Sequence, residues 1–171
     1  MPITLYDITV PVFLRGFERL SAILEKGRSV AAAEGRDPET LLTARLAPDM
    51  LTLAGQVQRA SDTAKFAMVR VGGVENEAFA DDETSFADLE ERIARTVAFL
   101  QRVPREALDA KADAMVEARV GRSTVSIKGS DYVLQFALPN FLFHVTTAYD
   151  ILRHEGIGLG KNDYIGPLGG A

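Results

Sequence analysis

Apolar residues recur at helical spacing in four long segments of the chain. Between Leu5 and Ala33, the residues Ile8, Val12, Phe13, Phe17, Leu20, Ile23 and Leu24 fall three and four positions apart and form one stripe. Thr4 with Asp7 makes a capping-box pattern at its start. Pro11 predicts a kink or a delayed start, and Gly35 an end. Asp37-Pro38, an N-cap followed by proline at the first helical position, opens a short helix to about Arg45. A second long helix is expected to open at Pro48-Asp49. It carries Met50, Leu53, Val57, Ala60, Ala64, Met68 and Val71 on one face and stops at Gly72-Gly73. The loop 74–83 is acidic. Ser85 with Asp88 then caps a third helix whose stripe is Phe86, Leu89, Ile93, Val97 and Leu100, with Pro104 marking its end. Ser130-Asp131 caps a fourth, running to about His154. That helix is apolar nearly all round, so it is central or lies at an interface, and Pro139 predicts a kink in it.

Between the third and fourth helices the period changes from helical to alternating. Val116, Ala118 and Val120 point one way, Glu117 and Arg119 the other. A two-residue turn at Gly121-Arg122 pairs Val120 with Ser123, Ala118 with Val125 and Val116 with Ile127. Apolar then meets apolar across the strands, and polar meets polar. Two strands alone are marginal in water, so their apolar face should lie on the helices.

The architecture read from these elements is mainly α: an antiparallel four-helix bundle with a small β-hairpin between the third and fourth long helices. We expect one domain spanning 1–171, with 155–171 as an extended glycine-rich arm. The length of 171 residues and the 47% hydrophobic content suit one core without staples. The absence of cysteine excludes disulfides and thiolate chemistry. The net charge of −5, with both signs mixed along the chain, leaves no basic footprint for nucleic acid and no basic amphipathic face for a membrane. The first residues lack the pattern of a signal peptide, so a cytoplasmic location is expected.

Several segments resemble a known bacterial family: Leu5-Tyr6-Asp7-Ile8-Thr9-Val10-Pro11-Val12-Phe13, Ala44 to Met50, Gln56 to Lys65, the helix around His144, and Leu159-Gly160-Lys161. It is a domain-of-unknown-function family within the DinB/YfiT-like superfamily of metalloenzymes, and the resemblance covers essentially the whole chain. It implies a DinB/YfiT-like four-helix bundle and a homodimer. In other branches of that superfamily a divalent metal is held by three histidines, one on the second helix and two on the last, four residues apart. Some of those branches use it for thiol transfer to small molecules.

The residues here depart from that set. The second helix has no histidine, and four residues after His144 comes Ala148. His154 is ten residues on, roughly 15 Å along the helix axis and about 80° away in direction, whereas metal–nitrogen bonds are about 2.0–2.1 Å. No cofactor is therefore predicted. His144 is the one residue that could ligate zinc or nickel.

The candidate pocket is drawn from His144, Asp62, Gln58, Asn140 and Tyr149. A buried imidazole needs partners for its ring nitrogens, and Asp62 could accept a proton from His144 if the two helices face each other there. Gln58, Asp62 and Lys65 follow helical spacing and read either as a pocket wall or as a solvated face. His144 itself reads either as a satisfied core residue or as a base or sole ligand. Asn140 and Tyr149 line a pocket or simply pack. His154 in the last helical turn meets the negative helix end, which accounts for it. Two functions compete. One is an uncharacterised homodimeric bundle binding a small apolar ligand. The other is a divalent-metal-dependent enzyme related to the superfamily's small-molecule transferases.

Overall fold

The computed structural model describes residues 2–120 and 123–168. Helix α1 spans Val10–Ala33, a 3-10 helix Pro38–Thr43, α2 Leu53–Ala67, α3 Phe86–Gln101 and α4 Arg105–Asp109. Strands β1 (Met115–Val120) and β2 (Ser123–Lys128) follow, then α5 (Gly129–Tyr132), α6 (Leu138–His154) and α7 (Lys161–Ile165). A wide π turn, Met68–Gly72, extends α2, and a second, Val133–Ala137, joins α5 to α6 in one continuous rod. Helix α1 packs against α3 and α6, and α2 packs against the same two, so the four long helices close a ring in the order α1, α3, α2, α6. The fold is a mainly helical bundle with a two-stranded antiparallel hairpin.

The expected stripes are buried: Phe13, Phe17, Leu20, Ile23 and Leu24 on α1, Val57, Ala60 and Ala64 on α2, and Leu89 and Leu100 on α3. Pro11 delays the first helix, which starts at Val10, and Thr4 and Asp7 exchange the expected hydrogen bonds upstream of it. Ser85 and Asp88 form the expected capping box. The second helix begins later than Pro48-Asp49. Thr52 caps it, its hydroxyl accepting from Gly55 N at 3.1 Å, while Leu53 N is drawn off to Ala44 O.

The fourth helix begins at Gly129, before the expected Ser130-Asp131 cap. Its first amides need partners. Gly129 N finds Ala114 O and Ser130 N finds Ala112 O, both in the segment after α4. Only glycine fits at 129, because a Cβ would stand 2.5 Å from Lys111 O.

Proline removes a helical N–H and crowds the carbonyl four residues before it. The wide turn Val133–Ala137 takes up that conflict immediately before Pro139. Phe141 then reaches α1, its ring edge-on to Phe13 (4.8 Å) and Phe17 (5.0 Å).

The hairpin register matches expectation at every expected pair, from Val116 with Ile127 to Val120 with Ser123, and extends to Met115 with Lys128. The turn at Gly121-Arg122 lies outside the described residues, as does Gly169-Gly170. Val116 and Ala118 are buried and β1 lies on the π turn that ends α2, while Val125 on β2 stays exposed.

The segment after His154, expected as an extended arm, folds back along the bundle. Ile157 and Leu159 are buried, and α7 packs on α1. Cationic side chains fasten it: Arg36 donates to Glu155 O, Arg153 to Leu159 O, Arg15 to Ile165 O and Pro167 O, and Lys26 pairs with Asp163.

Candidate functional site

His144 lies in the middle of α6, on the face toward α2. Its Nδ1 is 2.7 Å from Gln56 Oε1. The amide of Gln56 cannot be turned around without loss, because its Nε2 donates to Leu51 O at 3.2 Å. Oε1 therefore faces the imidazole and Nδ1 carries the proton, which leaves the lone pair on Nε2. Among the described residues Nε2 has no hydrogen-bond partner. Burial, with the charge of Arg59 adding to it, pushes the imidazole down to about 4. At neutral pH the ring is uncharged, fixed in one tautomer, and edge-on to the exposed Phe143 at 5.4 Å.

The other expected pocket residues do not gather around it. Asn140, one turn before His144, shares the α2 seam but donates to Thr63 Oγ1 at 2.7 Å. Tyr149 turns to the opposite side of α6 and packs edge-on to Tyr164 of α7. Gln58 donates to Glu83, and Asp62 faces α3. Two positions on a helix differ by about 200° in direction, so Gln56 and Gln58 point to opposite sides. The stripe Gln58, Asp62, Lys65 faces α3 and the acidic loop, and Gln56 takes the place beside His144 that Asp62 was expected to fill. The legible signal was the spacing Gln56, Arg59, Thr63, which runs parallel to the buried stripe of α2.

Asp62 belongs instead to a charged cluster in the α2–α3 seam. Arg92 and Lys65 are both 2% exposed. Arg92 meets Asp62 (3.1 Å), Asp81 (3.0 Å) and Glu83 (2.7 Å), and also donates to Ala80 O. Lys65 donates to Glu77 O at 2.7 Å and sits 3.7 Å above the Phe79 ring, whose plane also meets Arg95 at 4.1 Å. Burial pulls the Lys65 ammonium below its ordinary range, Asp62 opposes that shift, and Arg92 and Arg95 add to it. These contacts tie loop 74–84 to the bundle. The solvated face that was the other reading of this stripe is not what forms.

The three-histidine metal set implied by the family resemblance does not fit these residues. The α2 residue facing His144 is Gln56, which occupies Nδ1. Position 148 is a buried alanine, and His154 is exposed in the last turn of α6. Among the described residues no group of three or more His, Cys, Asp or Glu side chains is placed to hold a metal ion.

A different feature is a groove of about 230 Å³ on the far side of α6, between α1, α6 and α7. Val12, Leu142, Val145, Tyr164 and Ile165 give it apolar walls, Gly16 also lines it, and Arg15 and Arg19 stand at its rim. No described helix is long and apolar enough to cross a membrane.

Comparison with known proteins agrees with the fold. A crystal structure of a DinB family member protein from Shewanella denitrificans matches with a TM-score of 0.88 and 38% sequence identity, over 96% of this chain and 93% of that one. No curated protein matches the chain. The model of the family described as a domain of unknown function, DUF1993, matches residues 5–165. With nearly the whole chain matched by both, the protein belongs to the DUF1993 family of DinB-like bundles.

Proposed function

We propose that this protein is a cytoplasmic homodimer that binds a small apolar molecule, and that it does so without a three-histidine metal. The observation that carries the reading is the apolar groove between α1, α6 and α7. Concave apolar sites with a few polar groups at the edge are where small ligands bind. Support for the dimer comes from exposed apolar side chains on α6 and on the π turn before it, where Phe143 is 54% and Leu134 51% exposed. Large apolar side chains exposed to water favour a self-complementary contact.

Two measurements test this. Light scattering at micromolar concentration should give twice the chain mass, and Phe143→Glu should halve it; a monomeric wild type removes the dimer. A neutral fluorescent probe, N-phenyl-1-naphthylamine, should bind with about one site per chain, and Val12→Phe should block it. Probe binding unaffected by Val12→Phe would remove the groove from the reading. The metal-dependent transferase is the competing reading. Tag-free protein exposed to zinc, nickel and manganese and then desalted should retain far less than one metal per chain. Retention of about one, lost in His144→Ala, would replace our reading with that one.

A further inference from the structure

We propose that the α1/α6/α7 groove takes a small monocarboxylate with an apolar tail, its carboxylate held by Arg19 and Arg15; this rests on the apolar-ligand reading above and names the ligand class. Arg15 and Arg19 are one helical turn apart on α1, so both project to the same rim. Arg15 spends Nη2 on two carbonyl oxygens, Ile165 O and Pro167 O. A guanidinium has five N–H donors, and among the described residues Nε and Nη1 of Arg15 have no partner. The Arg19 side chain is only 18% exposed, and among the described residues its one carboxylate partner is its sequence neighbour Glu18, which is 63% exposed. An exposed pair of that kind contributes little. Among the described residues the rim thus holds two cations, one of them mostly buried, against a single solvated carboxylate.

The C-terminal segment is shaped to this rim. Gly166 has a φ of +70° and passes so close to Arg19 that a Cβ there would stand 2.7 Å from its Cδ and Nη1. A side chain at 166 would displace the Arg19 guanidinium from its present position. Below the rim the walls are Val12, Leu142, Val145 and Ile165. A site with fork-shaped cations at one end and aliphatic walls at the other is complementary to an amphipathic carboxylate. The volume of about 230 Å³ is below the ~300–1,000 Å³ of drug-sized sites, which limits the tail to roughly six to eight carbons.

Titration calorimetry on the full chain with octanoate and 1-octanol separates the carboxylate from the tail. Octanoate should bind at least tenfold more tightly than octanol. Arg19→Gln should erase that preference while leaving octanol affinity unchanged, and Arg19→Lys should keep part of it. Equal affinities in the wild type would overturn the carboxylate assignment and leave the apolar-ligand reading standing. Binding of neither compound, nor of the neutral probe, would sink both. The wild-type comparison decides even if a variant does not fold. If either compound binds only after dilution dissociates a dimer, the groove's occupant is a second copy of this chain and the proposal is wrong.

Discussion

Gln56 holds His144 by one hydrogen bond of 2.7 Å and is itself held by Leu51 O. The amide offers the ring an acceptor without a negative charge, so nothing offsets the desolvation of an imidazolium. Gln56→Glu supplies that charge. The His144 ring should then titrate well above the value of about 4 it has in the wild type. Ring-proton chemical shifts against pH measure this directly; an unchanged midpoint would show that Gln56 does not set the ring's environment.

The same ring makes stability depend on pH. Its pKa falls from 6.5 to about 4 on folding, so below about pH 6.5 the unfolded chain takes up a proton that the native state refuses. The contribution is complete above pH 6.5 and is lost as pH falls from there toward 4, on the order of 2 kcal/mol after solvent screening. Urea midpoints across this range should fall less steeply for His144→Gln than for the wild type. Parallel curves would contradict this.

Glu90 shows the opposite sign. Burial raises its carboxyl above the ordinary 4.5, with Ser21 partly opposing, and Oε1 is buried without a partner among the described residues. Its ionisation in the native state costs stability as pH rises through that raised value. Glu90→Gln should therefore melt higher than the wild type at pH 7, and the gain should vanish below pH 4.5. A lower melting temperature at pH 7 would show that the carboxylate has a favourable partner in solution.

Arg92 has three carboxylates around it and is almost fully buried. Arg92→Ala leaves Glu83 without its cation, while Asp62 keeps Arg59 (3.2 Å) and Lys65 (3.8 Å), at a cost of about 3–5 kcal/mol. Denaturant unfolding should show this, and hydrogen exchange should rise in loop 74–84, which Arg92 ties down through Ala80 O. A loss below about 1 kcal/mol would place the loop's anchoring elsewhere.

Gly16 lies under the Phe141 ring, where a Cβ would collide with it. Gly16→Ala should destabilise by about 1–3 kcal/mol through overpacking, despite alanine's better helix propensity. A stabilised variant would mean that the Phe13, Phe17 and Phe141 rings shift at little cost.

Much of the fold was legible because its determinants are local. The α1 stripe, the Ser85–Asp88 box and the hairpin register each depend on residues a few positions apart. The missed boundaries have different causes: Thr52 caps α2 locally, four residues after Pro48, whereas Gly129 N is satisfied by the distant Ala114 O, which no local pattern announces. His144 was legible as a centre, but its partner was not. Choosing Asp62 over Gln56 chose the wrong side of α2, since both sides carry polar residues at helical spacing. The folded-back terminus escaped because glycine content masked Ile157 and Leu159, whose burial depends on cationic side chains elsewhere in the chain.

The wide turn at Val133–Ala137 holds one more residue than an α turn would. The rod from α5 to α6 therefore carries a residue of slack at a defined place. Loss of the exposed Gln135, together with replacement of Pro139, would restore ordinary pitch without turning Phe141, His144 or Leu152 to new faces. In alignments of this family, a gap at that place and a missing proline should travel together, and the seam beyond them should keep its register.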